Sequence, residues 1–230
     1  MLNNSCIMYA EKEMLEVTKK KKLTDVVFIL DRSGSMNGTE KDTIGGYNNY
    51  ISDFKSKSAK ITTVLFDDKY EMITKRQNVN EVPRLTEKEY FVRGCTALLD
   101  AIGKSIKFME KEKAEKVIFI ITTDGYENAS HKFNKEQIKE MIEGHKEWEF
   151  IYIGAYIDSY SEGQSIGISN KNIANYNKSG IGISKLFKAI YSVSEDFCEE
   201  DCIDLSWKEE LDDYIDQNKN EMTSDDEMKW

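Results

Sequence analysis

Two kinds of hydrophobic pattern alternate along this chain. The first is a run of consecutive apolar residues, which is typical of strands in a mainly parallel sheet covered on both faces. Such runs predict four central strands, at residues 23–30, 60–67, 116–124 and 148–155. Two weaker segments add sheet edges: residues 69–77 alternate in polarity like a hairpin partner, and residues 172–176 predict a short edge strand.

The second pattern places apolar residues three or four positions apart, as in amphipathic helices. Ile44, Tyr47, Ile51 and Phe54 follow this spacing within residues 38–57. The other predicted helices lie at 9–20, from about Thr96 onward, at 135–145 with Asn134 as the N-cap, at 159–168 and at 183–197.

Strands that alternate with helices predict one α/β fold class, a doubly wound and mostly parallel central sheet with helices on both faces. The hairpin segment supplies one antiparallel edge strand. We expect three regions: an N-terminal helical extension at 1–22, an α/β domain at 23–197 and an acidic C-terminal extension at 198–230.

The net charge of −10 is concentrated at the end of the chain, where residues 195–230 hold 15 acidic residues and 3 lysines. The rest of the chain is close to neutral and has no basic footprint for nucleic acid. No segment approaches the roughly 18 apolar residues that a membrane helix needs, and the N-terminus lacks the pattern of a signal peptide. Four scattered cysteines do not form a disulfide framework. The expected location is therefore the cytoplasm, with reduced thiols.

Hydroxyl and carboxylate side chains follow the predicted strands where these strands end. Asp31, Ser33 and Ser35 come directly after the first strand, and Asp124 ends the strand at 116–124. Thr96 opens a helix from a loop that contains a glycine. Because ligands of open α/β sheets collect at the carboxyl ends of the strands, these five residues are expected to share one rim.

All five candidate side chains offer hard oxygen atoms, which suits Mg²⁺, with Mn²⁺ and Ca²⁺ as alternatives, better than zinc. Two carboxylates only balance a divalent charge, and hydroxyl groups add none. A cation held this way keeps enough Lewis acidity to accept one more carboxylate from outside. The predicted partner is therefore a protein that supplies an Asp or Glu side chain.

Three segments, "DRSGSM", "GCTALLDAI" and "IITTDG", resemble the metal-ion-dependent adhesion site (MIDAS) of von Willebrand factor A domains, of the small stand-alone bacterial or phage type. All five metal-ligand positions of that family match here, in the family's order. Cys95 stands where many members have a second glycine, which removes no ligand. The resemblance implies a Rossmann-like fold and a metal-dependent protein-binding module that is not an enzyme.

Alternative functions remain open: an adaptor subunit of an ATPase, kinase or stress-response complex, or a metal-dependent phosphoesterase. The phosphoesterase is disfavoured because Ser33 stands where phosphoryl transfer by a nucleophilic Asp needs a second acid. Asp67, Asp68 and Glu127 lie near the predicted rim, either as partners of metal-bound water or as solvated acids. The acidic C-terminus is interpreted either as a solubilising tail or as a flexible competitor for the metal. The oligomeric state is left open.

Overall fold

A six-stranded β-sheet forms the centre of the computed structural model, which describes residues 23–155, 158–200 and 202–226. The strands are β1 (Thr24–Asp31), β2 (Ala59–Phe66), β3 (Tyr70–Asn78), β4 (Lys116–Thr123), β5 (Trp148–Gly154) and β6 (Ile173–Asn175). Their order in the sheet is β3-β2-β1-β4-β5-β6. Only β3 is antiparallel to its neighbour. The predicted doubly wound α/β sheet with one antiparallel edge strand is confirmed.

Helices cover both faces of this sheet. They are α1 (Glu40–Phe54), α2 (Leu98–Lys111), α3 (Lys135–Gly144), α4 (Ser159–Ser165), α5 (Gly180–Glu200) and α6 (Glu209–Asp226). Side chains of a strand point alternately to opposite faces, so β1 serves two cores. Val26 and Phe28 pack in the core that contains α1 and α5, whereas Val27 and Ile29 pack in the core that contains α2 and α3.

Local sequence signals explain how two of these helices are placed. Asn134 caps α3 through a reciprocal capping box with Gln137, as the sequence predicts. In α1, a β-carbon at Gly46 would collide with the ring of Phe187 on α5. Glycine at this position therefore lets the two helices approach closely on one face of the sheet.

The strand order reverses between the parallel strands β1 and β4. The connection from β1 leads to β2 on one side, and the connection from β4 leads to β5 on the other, so a crevice opens between their carboxyl ends. Leu30 lies in register with Thr122 on the adjacent strand. The residues that follow these two positions are consequently neighbours at the rim.

The acidic end of the chain packs against the body as a helix. The expected boundary between residues 197 and 198 falls inside α5. Beyond it, Trp207 and Leu211 are buried in the same core as α1 and α5, while Leu205 is 61% exposed. The predicted helix at 9–20 lies outside the described residues. Within the described ranges, none of the helices has the length and apolar character needed to cross a bilayer.

Candidate metal centre

The carboxyl ends of β1 and β4 bring two acids together at the rim. Asp31 is fully buried and Asp124 is 6% exposed. The hydroxyl of Thr123 donates a 2.6 Å hydrogen bond to Asp31 Oδ2, so the last residue of β4 orients the last residue of β1. Neither carboxylate is a freely solvated side chain. The structure places these two acids near each other, as the sequence predicts from the strand ends.

The loop after β1 adds two hydroxyl groups to the acids. Asp31 Oδ1 accepts a 2.7 Å bond from the backbone N–H of Ser33, which turns the chain back over the strand end. The hydroxyls of Ser33 and Ser35 lie 3.0 Å apart. Ser35 in turn donates a 2.5 Å bond to Asp124 Oδ1. Four of the five predicted ligands therefore form one continuous polar cluster.

Thr96 reaches the same cluster from a third loop. A β-carbon placed on Gly125 would lie 3.0 Å from Thr96 Oγ1 and 3.2 Å from Ser35 Oγ, so both hydroxyls flank this glycine. The backbone of Thr96 is held on both sides by Asn128, whose Oδ1 accepts from the Thr96 N–H and whose N–H donates to the Thr96 carbonyl. The structure thus assembles all five predicted residues at one place.

A glycine keeps the Thr96 loop against the loop that follows β1. Gly94 has a φ of +67°, which is favourable for glycine and strained for other residues. Its carbonyl accepts a 3.1 Å bond from the N–H of Gly34. The positive φ and the lack of room for a β-carbon explain the glycine two residues before Thr96, a feature visible in the sequence.

Burial disfavours the ionised form of Asp31, and a nearby positive charge would stabilise that form. Removal of Asp31 from water raises its pKa to about 6, against hydrogen bonds from Thr123 and Ser33 that lower it, and the nearby charge of Asp124 raises it further. The neighbouring Arg32 does not neutralise it. Its fully buried guanidinium instead pairs with Asp67 and Glu71, at 2.9 and 2.7 Å.

A lysine that the sequence analysis did not single out lies at the cluster. Lys178 Nζ is 2.6 Å from Asp124 Oδ2 and 2.5 Å from the carbonyl oxygen of Ser35. Asp124 Oδ2 is buried, and among the described residues this ammonium group is the donor that it faces. Lys178 lies in the loop between β6 and α5, where no periodic pattern or motif marks it. A cation is thus already attracted to this oxygen.

Two of the three acids considered as partners of metal-bound water have other contacts, whereas Asp68 is exposed. Glu127 accepts hydrogen bonds from the backbone of Leu99, Ala129 and Ser130, and so ties the start of α2 to the loop after β4. Asp67 is fully buried and pairs with Arg93 as well as Arg32. Both residues hold the loops that carry the candidate ligands.

The donor set fits a small divalent cation that prefers oxygen. No group of three or more His, Cys, Asp or Glu side chains suited to a metal occurs among the described residues. The candidate site has only two such residues and completes its set with hydroxyls. Two observations support the fit of a cation to this site: both acids are buried, and Asp124 Oδ2 already contacts the positively charged Lys178 ammonium.

The comparisons with known proteins identify the fold. No protein-family model and no curated protein matches the chain. Solved structures do. One is the proximal thread matrix protein 1 from the mussel byssus, at 18% identity and a TM-score of 0.56, over 74% of this chain and 45% of that chain. A second structure of the mussel protein, with a TM-score of 0.55, has a zinc-occupied MIDAS motif.

Two microbial proteins are similar to the same degree. The ArnB paralog VWA2 from Sulfolobus acidocaldarius matches at 19% identity and a TM-score of 0.55, over 75% of this chain and 45% of that one. The chain has a von Willebrand factor A-like fold. The pilus adhesin SpaC from Lactobacillus rhamnosus GG shares it at 12% identity and a TM-score of 0.61, over 78% of this chain and 30% of the adhesin. The chain therefore spans less than half the length of these proteins.

Proposed function

We propose that this chain is a divalent-metal-dependent protein-binding module. In this proposal Asp31, Ser33, Ser35, Thr96 and Asp124 hold Mg²⁺, with Mn²⁺ or Ca²⁺ as alternatives. A protein partner supplies an Asp or Glu side chain to the same ion.

One observation carries the proposal. Two buried carboxylates from adjacent strands, Asp31 and Asp124, are joined by a chain of hydroxyl groups, and one of their oxygens already contacts an ammonium group. Buried carboxylate oxygens usually accept hydrogen bonds from several neutral groups of the fold, whereas among the described residues Asp124 Oδ2 is contacted by a positively charged group, the Lys178 ammonium. The zinc-occupied MIDAS of the mussel protein supports metal binding by this fold in general.

The rim also suits a macromolecular partner. A divalent ion bound there would offer an open position to a carboxylate oxygen. On the protein side, Ser35 is exposed, so the cluster is reachable from solvent. Tyr126, two residues after Asp124, is 53% exposed and provides apolar surface beside the acids. Exposed aromatic residues are typical anchors of protein interfaces.

We also propose that the module has no enzymatic activity of its own. Ser33 occupies the position where a phosphoesterase with a nucleophilic aspartate needs its second acid, and its hydroxyl contacts Ser35. We place the protein in the cytoplasm, as the sequence predicts. The three cysteines in the described part of the chain are free thiols, which agrees with a reducing compartment (Cys95, Cys198 and Cys202).

Selection of short random peptides displayed on phage tests the partner chemistry. We expect peptides that bind in Mg²⁺ and are released by EDTA to be enriched in Asp or Glu. They should bind the Asp53→Ala protein, in which an exposed acid near the end of α1 is removed, and should not bind Asp124→Ala. Equal recovery with Asp124→Ala, or no enrichment of acidic residues, would show that the proposed function is wrong.

A further inference from the structure

The positive charge that contacts the candidate metal ligands belongs to the chain itself. The Lys178 ammonium touches Asp124 Oδ2 and the carbonyl of Ser35, the residue that also supplies a candidate hydroxyl ligand. The Lys178 side chain is 16% exposed, and the Asp124 side chain is fully buried in this contact. The ion pair is thus largely shielded from water, where such pairs are stronger than at an open surface.

The backbone on both sides of Lys178 is anchored. The N–H of Tyr176 donates to the carbonyl of Gly154, and its buried hydroxyl contacts Met36 Sδ in the loop after β1. On the other side, the N–H of Ser179 donates to Asn177 Oδ1, and Ser179 Oγ accepts from the N–H of Gly182 in the first turn of α5. These contacts fix the point from which the lysine side chain extends.

The Lys178 side chain can move away from Asp124 by rotation about its own bonds. Lysine carries a point charge on a four-carbon stem with several rotatable bonds, so the ammonium group can move to solvent while the backbone stays in place. A divalent ion that uses Asp124 would stand next to this ammonium group, and like charges repel. The ammonium and the ion therefore compete for one carboxylate.

We infer that Lys178 is a tethered counter-cation that a divalent ion must displace, so that this residue sets the affinity of the metal site. The inference rests on the proposed function, because it concerns the same five ligands. Without metal, Lys178 compensates part of the buried negative charge. A metal ion that binds must break this ion pair. The apparent affinity for the metal is therefore lower than it would be without Lys178, by the free energy of the ion pair.

Calorimetric titration of the full chain with Mn²⁺ tests this inference. Lys178→Met removes the charge and keeps much of the side-chain length. A hydrogen bond to a charged group is typically stronger than a neutral one, so we expect Mn²⁺ to bind Lys178→Met about ten- to a hundredfold more tightly than the original protein. Lys185→Met is the matched control. It removes an equal charge from α5, where Lys185 pairs with Glu210, and its affinity should stay within about twofold.

Thermal unfolding separates competition from a simple role in holding the loop. In EDTA, Lys178→Met should unfold at a lower temperature than the original protein. Saturating Mn²⁺ should remove or reverse this difference, because tighter binding gives a larger stabilisation. A lysine that only holds the loop would leave the same difference in EDTA and in Mn²⁺.

The outcomes distinguish this inference from the proposed function. If the original protein and Lys178→Met bind Mn²⁺ equally, or if the variant binds more weakly, the inference is wrong and the metal site stands. If only Lys178→Met binds, the inference is supported in its strongest form. If neither protein binds Mn²⁺, the proposed function and the inference both fail.

Discussion

The hydroxyl of Thr123 donates a 2.6 Å hydrogen bond to Asp31 Oδ2 and so joins the ends of two adjacent strands. Thr123 also bonds with the backbone of Gly125, directly after Asp124. One hydroxyl thereby positions both candidate acids, although it is not one of the predicted ligands.

Replacement of Thr123 by valine should leave Asp31 Oδ2 buried without its donor. We expect the free energy of unfolding in EDTA to fall by about 1–3 kcal/mol, the usual effect of leaving a buried acceptor unpaired. Chemical denaturation measures it. Thr122→Val makes the same exchange on the opposite face of β4 and serves as the control. An equal loss in the two variants would contradict the role assigned to Thr123.

Replacement of Gly125 by alanine should weaken metal binding more than it weakens the fold. The new methyl group would lie 3.0 Å from Thr96 Oγ1 and 3.2 Å from Ser35 Oγ, which forces the two hydroxyls apart. Mn²⁺ titration together with thermal unfolding in EDTA separates the two effects. Gly45→Ala in α1 is the control, since the space around Gly45 is open. Full Mn²⁺ affinity in Gly125→Ala would contradict the placement of Thr96 in the site.

The stability of the metal-free protein should depend on the ionisation of Asp31. Burial raises its pKa from 3.8 to about 6, so the folded chain holds this proton more tightly than the unfolded chain does. Asp31 therefore favours folding below pH 3.8, and this contribution is lost as the pH rises through about 6. The loss corresponds to about 3 kcal/mol, because one pKa unit is worth about 1.4 kcal/mol.

Denaturation in EDTA across this pH range compares the original protein with Asp31→Asn, which keeps the shape of the side chain and cannot ionise. The difference between the two proteins should change in favour of Asp31→Asn as the pH rises. A difference that is independent of pH would show that burial of the Asp31 charge does not destabilise the metal-free fold.

The docking of the C-terminal region predicts a strong effect of one tryptophan. Trp207 is 3% exposed and packs with α5, and its indole N–H donates to the carbonyl of Lys171. Trp207→Ala should lower the free energy of unfolding by about 3–5 kcal/mol. Leu205→Ala, two residues earlier and largely exposed, should change it by less than about 0.5 kcal/mol. Similar small effects of both variants would mean that this region does not contribute to the core.

The sequence carries enough information for the sheet and for the candidate ligands. Continuous apolar runs identify the central strands, since a strand covered on both faces cannot alternate. The five oxygen side chains are predictable because each follows a strand end or opens a helix, and a parallel sheet gathers these points at one rim. The Asp31–Asp124 cluster follows from this geometry alone.

Two features were beyond prediction from the sequence, for physical reasons. Lys178 belongs to a loop after a three-residue strand, where no periodicity reports which way a side chain points. The C-terminal region is dominated by acids, and such composition is typical of a solvated tail. Its docking depends on Trp207 and Leu211, whose burial is decided by tertiary contacts with α5 and β6. The described part of this region is thus a docked helix, and competition of its acidic residues for the metal stays a hypothesis.

Calorimetric titration with Mn²⁺ near neutral pH tests the central claim most directly. The original protein and the control variant Asp53→Ala should bind one ion with equal affinity, because Asp53 is an exposed acid near the end of α1. Asp31→Ala and Asp124→Ala should lose binding, and by more than Ser35→Ala does, because each removes one of the two charges that balance the cation. Undiminished binding by both aspartate variants would contradict the claim that these five residues form a metal site.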